Sequence, residues 1–249
     1  MGHPFEQRRA AEVPATPDEV WAAIASGPGI DSWFMGRSEV QAGVNGTVRT
    51  VFGEYAPELD VTAWDPASRF AYRSGEAPDG RFIAYEFLIE GRAGGSTVLR
   101  TVTSGFLPGD DWADEFEAMT LGSEMYFRTL VEYLAHFAGR YAAPVTAFGP
   151  PGTTWTRDRA LLCRALGLPE AAQRGDRARF FTADPIGSVD GVVYFANAHT
   201  IGIRAQDTLY RFLRGFGKPT LAAHHLFAQD ADPAQTQHAW ESWLSQTLA

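Results

Sequence analysis

A chain of 249 residues, 45% hydrophobic and 20% charged, is long enough to bury one large core or two small ones and has ordinary globular composition. Its net charge of -9 excludes a broad electrostatic footprint for nucleic acid. A single cysteine, Cys163, excludes an intrachain disulfide and any multi-cysteine metal site. The Arg-rich run from Arg174 to Arg179, with Asp176 inside it, reads as a solvated loop and strand entry. The start, Met1-Gly2-His3-Pro4-Phe5-Glu6, lacks the basic-then-apolar order of a secretory signal. No stretch reaches the apolar length of a membrane span, so the expected location is cytoplasmic.

In chain order, Arg9 to Ala15 alternates as a strand. Thr16 is a natural helix cap, with Pro17 at the first helical position and Glu19 in the acidic first turn. Val20, Ala23 and Ile24 share one face. Gly27-Pro28-Gly29 is expected to end that helix, and a second short helix is expected over Ile30 to Phe34. A strand meander follows. Glu39 to Ala42 turns through Gly43-Val44-Asn45-Gly46 into Thr47 to Phe52, a hairpin signal. Further strands read at Glu58 to Trp64, Arg69 to Ser74, Arg81 to Glu90 and Ser96 to Ser104. In Arg81 to Glu90 the residues Ile83, Tyr85, Phe87 and Ile89 hold one parity, as in a half-buried antiparallel strand.

The acidic loop Gly109-Asp110-Asp111-Trp112 enters the longest helical pattern, Ala113 to Phe137. The carboxylates suit the positive end of a helix dipole, and Trp112 hints at an exposed lip. Phe116, Thr120, Ser123, Phe127, Leu130, Leu134 and Phe137 recur at helical spacing. A Pro/Gly-rich break, Pro144 to Gly152, marks a domain boundary, with a linker over about 141–152. A short apolar segment, Val145 to Phe148, and a Pro/Gly turn precede a helix from Thr156 to Leu166, which holds Cys163 as a small buried apolar residue. Strands follow at Ala178 to Ala183, Val189 to Ala196, Thr200 to Ala205, Leu209 to Leu213 and Thr220 to Phe227. A last helix from Pro233 to Leu248 is capped by Asp232. The second half repeats the order of the first in abbreviated form; it is either a degenerate copy or an unrelated α+β extension.

These residues carry a resemblance. Val13-Pro14-Ala15-Thr16-Pro17-Asp18-Glu19-Val20-Trp21, Trp33 after Gly29-Ile30, the Gly43 to Gly46 turn and Asp65-Pro66 to Tyr72 lie in positions 1–140. So do Gly95-Ser96-Thr97 with Gly105-Phe106, and Gly122 in the long helix. Together they resemble the SRPBCC (START-like, helix-grip) superfamily, nearest the branch related to activators of the heat-shock-protein-90 ATPase. The resemblance implies an α+β fold in which a curved antiparallel sheet wraps around a long C-terminal helix. A second, smaller α+β half of similar order occupies 153–249. Ser123 stands where relatives have tryptophan, which widens the pocket floor.

The resemblance also implies a cavity between sheet and helix. Bulky Phe116 and Phe127 alternate with small Thr120, Gly122 and Ser123, leaving one turn without filling side chains. That gap either hosts a ligand or is plugged by Trp33, Tyr85 or Phe87. The expected lining is Trp33, Phe52, Tyr85, Phe87, Met119, Ser123 and Phe127, with Met125 a further adaptable liner. Arg100 either reaches a pocket carboxylate or points to solvent. His224 and His225 are adjacent on a strand, so their rings take opposite faces and cannot share a metal. His225 is a candidate pocket acid or base. No nucleophile elbow, Walker loop or His-Glu-x-x-His spacing is present.

The leading expectation is a non-enzymatic carrier of a small hydrophobic or amphipathic ligand, with no cofactor, metal, nucleic acid or membrane span. The alternatives are a chaperone-associated or stress-regulatory interaction module with a protein partner, and a cyclase- or dehydratase-type enzyme using the same pocket.

Overall fold

The computed structural model describes residues 3–53, 55–109, 112–152, 154–215 and 219–249, with only the backbone of 112–114. The expected capping pair Asp110 and Asp111 and the side chain of Trp112 lie outside the described residues. The chain divides into two compact units, Met1–Tyr141 and Ala142–Ala249. The α+β reading is borne out: each unit has one antiparallel sheet and ends on a helix.

The first unit opens with β1 (His3–Val13), longer at its start than the sequence suggests, and alternating half-buried and exposed positions along its length. α1 (Pro17–Ile24) is capped by Thr16 as expected, and Glu19 returns a bond that the sequence reading did not include. The Thr16 hydroxyl accepts from the Glu19 backbone N–H (3.3 Å), and the Glu19 carboxylate accepts from the Thr16 N–H (2.8 Å).

The next helix corrects the expectation. α2 is Gly27–Asp31, so Gly27-Pro28-Gly29 begins a helix rather than ending one, and Trp33 and Phe34 follow it. Ser26 caps it, its hydroxyl accepting from the Gly29 N–H at 3.1 Å. The glycines serve close packing. A Cβ at Gly29 would lie 2.0 Å from the Ala22 carbonyl oxygen of α1, and one at Gly27 would lie 2.3 Å from that of Ser38.

The strands β2 (Arg37–Val40), β3 (Thr47–Val51), β4 (Glu58–Asp65), β5 (Arg69–Arg73), β6 (Phe82–Gly91) and β7 (Thr97–Leu107) complete a seven-stranded sheet. Its order is β1-β7-β6-β5-β4-β3-β2. The first strand pairs with the last along its whole length, from His3 opposite Leu107 to Val13 opposite Thr97. The long helix α3 (Trp112–His136) then lies against β1 and β7 and touches α1. On β7 the inward parity is Thr97, Leu99, Thr103, Gly105 and Leu107. Arg100 is therefore on the solvent side, where it meets Glu90 at 2.8 Å.

The second unit runs β8 (Ala143–Phe148), α4 (Trp155–Ala165), β9 (Arg177–Phe181), β10 (Ser188–Asn197), β11 (Thr200–Arg204), β12 (Thr208–Leu213), β13 (Leu221–Leu226) and α5 (Pro233–Thr247). Residues 143–148, inside the expected linker, are instead a paired strand. Backbone pairing with β13 outweighs the turn character of the flanking prolines and glycines. The sheet order is β8-β13-β12-β11-β10-β9. Again the first strand pairs with the last, and the remainder run back in reverse chain order. Asp232 caps α5 by accepting from the N–H groups of Ala234 (2.9 Å) and Gln235 (3.1 Å). Cys163 is buried among this unit's apolar residues, and burial pushes its thiol up in pKa. Arg177 and Arg179 are exposed and grip Asp190 at 2.6 and 3.1 Å, as a solvated strand entry would. Among the described residues, no helix is long and apolar enough to cross a membrane.

Candidate ligand site beneath the long helix

Two stripes of α3 face the interior of the first unit, and they differ in chemistry. The first comprises Phe116, Thr120, Ser123 and Phe127 and meets the inward residues of β1. Phe116 packs edge-on to Phe5, centroids 6.0 Å apart. One turn on, packing gives way to hydrogen bonding. The Gln7 amide N–H donates to the Thr120 hydroxyl (2.6 Å), and the Ser123 hydroxyl donates to the Gln7 amide oxygen (2.5 Å). Arg9 adds a bond from its guanidinium to the Thr120 carbonyl (3.1 Å). Burial draws the Arg9 guanidinium below its ordinary pKa; Glu124 opposes this and Arg128 reinforces it. Phe127 is buried one turn further along.

The second stripe is Met119, Gly122, Tyr126, Thr129 and Tyr133, spaced at three and four residues. Its C-terminal members Thr129 and Tyr133 are buried, so this stripe faces inward. Tyr126 packs against Phe34 with centroids 4.3 Å apart. At Gly122 a Cβ would meet, among the described residues and apart from its chain neighbours and its own helix backbone, no atom within 4 Å. Every described side chain from Glu115 to Glu124 is partly or fully accessible, whereas Met125, Phe127, Leu130 and Leu134 are buried.

Opposite lies a connected group of rings. Trp33 is buried, donates its indole N–H to the Ala23 carbonyl (2.9 Å), and sits 6.2 Å from Phe87. Phe87 stacks on Phe70 (6.3 Å) and on Tyr72 (6.2 Å), and Tyr72 lies 5.2 Å from Tyr85. Strand register orders these residues into rows. Gln7 pairs with Thr103, Thr103 with Tyr85, Tyr85 with Tyr72, and Tyr72 with Val61. Cross-strand partners share a face, so one row of the inner surface carries an amide, a hydroxyl and two phenols. The adjacent row pairs Phe87 with Phe70. Burial pushes the phenols of Tyr72 and Tyr85 well above their ordinary pKa, and Tyr72, Tyr126 and Tyr55 add to the effect at Tyr85.

Of the expected lining, Trp33, Phe87 and Tyr85 belong to this ring group, while Met119, Ser123 and Phe127 line α3. Phe52 follows β3 in a small bridge with Tyr55, their backbones exchanging bonds of 2.8 and 3.1 Å. Gln7, Arg9, Phe34, Tyr72, Thr103 and Tyr126 were not in the expected set. Extending the β1 alternation back to His3 would have marked Gln7 as an inward polar residue. Beside α2, Asp31 accepts from the Ser38 N–H at 2.7 Å, and burial raises its carboxyl to about 6.

The second unit is filled at the equivalent level. Trp240 of α5 is fully buried, with Phe180, Tyr210, Phe212, Trp243 and His224 all within 6.2 Å, centroid to centroid. The His224 ring faces this core. Its Nδ1 accepts from the Arg211 backbone N–H at 3.1 Å, which places the ring proton on Nε2. Burial, with Arg211 adding, drives its pKa well below the ordinary value.

No family model matches the chain, and no curated protein matches it. Among solved structures, the di-domain ARO/CYC BexL from the BE-7585A biosynthetic pathway aligns over 98% of each chain at 12% identity, TM-score 0.48. DynU16, from the dynemicin biosynthetic locus, covers 98% of this chain and 95% of its own at 19% identity, TM-score 0.42. The Aha1 dimer from Colwellia psychrerythraea covers 52% of this chain and 96% of its own at 18% identity, TM-score 0.42. With scores below 0.5 and identities below 20%, these likenesses assign neither family nor activity.

Proposed function

We propose that the first unit holds a small apolar or amphipathic ligand between its sheet and α3, in the helix-grip manner, and that the second unit is a degenerate copy of the same wiring with its interior filled. The observation that carries this reading is the clear space at Gly122, on an inward stripe between Met119 and Tyr126. Interiors ordinarily pack without gaps of this kind, and apolar recesses with a few polar groups are typical ligand sites. Trp33, Phe87 and Tyr85 supply a flat aromatic wall, and Met119 supplies an adaptable one.

The test is native mass spectrometry of protein purified from its own host. The wild-type chain is expected to retain a small hydrophobic mass. Gly122→Trp, which places an indole in the space, is expected to lose that mass while keeping the wild-type circular dichroism. A wild-type chain of bare polypeptide mass, or a Gly122→Trp chain that retains the adduct, overturns the reading.

A further inference from the structure

Buried polar groups on aromatic side chains of the first unit generally find partners. The Trp33 indole donates to the Ala23 carbonyl, and the Tyr133 hydroxyl donates to the Arg140 carbonyl at 2.9 Å. Tyr72 and Tyr85 break that pattern. They are direct cross-strand partners with rings 5.2 Å apart, and Tyr72 is only 7% exposed. Tyr85 is half-buried, and among the described residues neither hydroxyl has a hydrogen-bond partner or is sealed from solvent, so both can bond to a group that enters the space beside them. The other end of their row is already engaged, because Gln7 spends both its amide atoms on Thr120 and Ser123. Among the described residues the row's free hydrogen-bonding capacity therefore runs from Thr103 to the two phenols, beside an otherwise aromatic wall.

We propose that Tyr72 and Tyr85 form a paired hydrogen-bond donor that recognises a carbonyl or hydroxyl oxygen on an otherwise apolar, ring-bearing ligand. This rests on the pocket reading above and narrows it. Burial keeps both phenols protonated through the neutral range, so they remain donors. The stacked rings of Phe87 and Phe70 in the adjacent row offer a flat surface to the ligand body. A plain hydrocarbon of the same shape leaves both donors unsatisfied and forfeits their contribution.

The test uses two probes of equal shape, 1-tetralone and tetralin, titrated into the full chain by calorimetry. The wild type is expected to bind 1-tetralone about tenfold more tightly than tetralin, the scale of a hydrogen bond to an otherwise unpaired buried donor. The double variant Tyr72→Phe, Tyr85→Phe is expected to bind the two equally. Equal binding of both probes by the wild type overturns the donor pair and leaves the pocket standing. So does a tetralone preference that survives in the double variant. Binding of neither probe counts against the pocket itself.

Discussion

Two units of this chain thread their strands alike and treat the space beneath the closing helix differently. In the first, α3 offers Met119, Gly122 and Tyr126, with nothing within 4 Å of the missing Gly122 side chain. In the second, α5 offers Trp240, enclosed by Phe180, Tyr210, Phe212 and His224. Similar strand order thus accommodates a bulky indole on one closing helix and a glycine on the other. The fastening differs as well. The first half of α3 is tied to β1 by Gln7, Ser123, Thr120 and Arg9, whereas α5 is held by aromatic burial.

The sharpest way to break this comparison is to truncate the filling residues. Trp240→Ala is expected to destabilise the second unit by about 3–5 kcal/mol, because a large cavity opens in a closed core. Met119→Ala, already beside free space, is expected to cost less than about 1 kcal/mol. Urea unfolding followed by domain-resolved hydrogen exchange measures both, and similar costs would erase the distinction.

Acid sharpens the contrast further, because the two units carry buried groups of opposite sign. Asp31 in the first has its pKa raised from 3.8 to about 6. The folded form holds the extra proton between those values, so Asp31 erodes stability as pH rises from about 4 to 6, and the whole penalty remains above 6. Asp31 is only 7% exposed, and a shift of this size corresponds to a penalty of about 3 kcal/mol. Asp31→Asn is expected to remove that slope and to gain by this amount at pH 7. His224 in the second unit has a folded pKa well below 6.5. The unfolded form there takes up the proton first, so stability falls as pH drops below 6.5. His224→Asn, which keeps an acceptor for the Arg211 N–H, is expected to flatten that acid limb. Unfolding midpoints from pH 4 to 8 read both, and slopes of the reverse sign would refute the assignment.

A smaller and more local effect than the loss of Trp240 is expected at the polar fastening. Gln7→Ala removes the partner of both Thr120 and Ser123 at about 1 kcal/mol. Amide exchange should accelerate over residues 115–124 and stay unchanged over 125–136. Uniform acceleration along α3 would mean that the helix moves as one body.

Much of the fold was legible along the chain. Thr16 and Glu19 announce α1 by chemistry that is local to four residues, and the 3.6-residue recurrence from Phe116 to Phe137 announces α3. α2 was misplaced because Gly27 and Gly29 look like terminators, and only their backbone contacts with Ser38 and Ala22 show that they exist for closeness. Arg100 was ambiguous because Val98, Leu99 and Val102 are all apolar. Pairing with β6, which sets Leu88 opposite Arg100 and Ile89 opposite Leu99, settles its face. At the site, the small-residue turn around Gly122 was visible in sequence. The neighbouring of Tyr72 and Tyr85 was not, since they are thirteen positions apart and meet only through register.

By itself the sequence determined what depends on neighbours in the chain: caps, turns, strand alternation, the order of elements in both halves and the amphipathic closing helices. These follow from propensities and periodicities that act over a few residues. Tertiary structure alone decided which strand lies beside which, and with it the row from Gln7 to Tyr72, the solvent side for Arg100, and the pairing of Ala143–Phe148 with β13. It also decided that Trp240 is enclosed by rings of its own unit while a Cβ at Gly122 would meet no contact. Such outcomes depend on pairing and packing between residues far apart in the chain, and no local pattern encodes them.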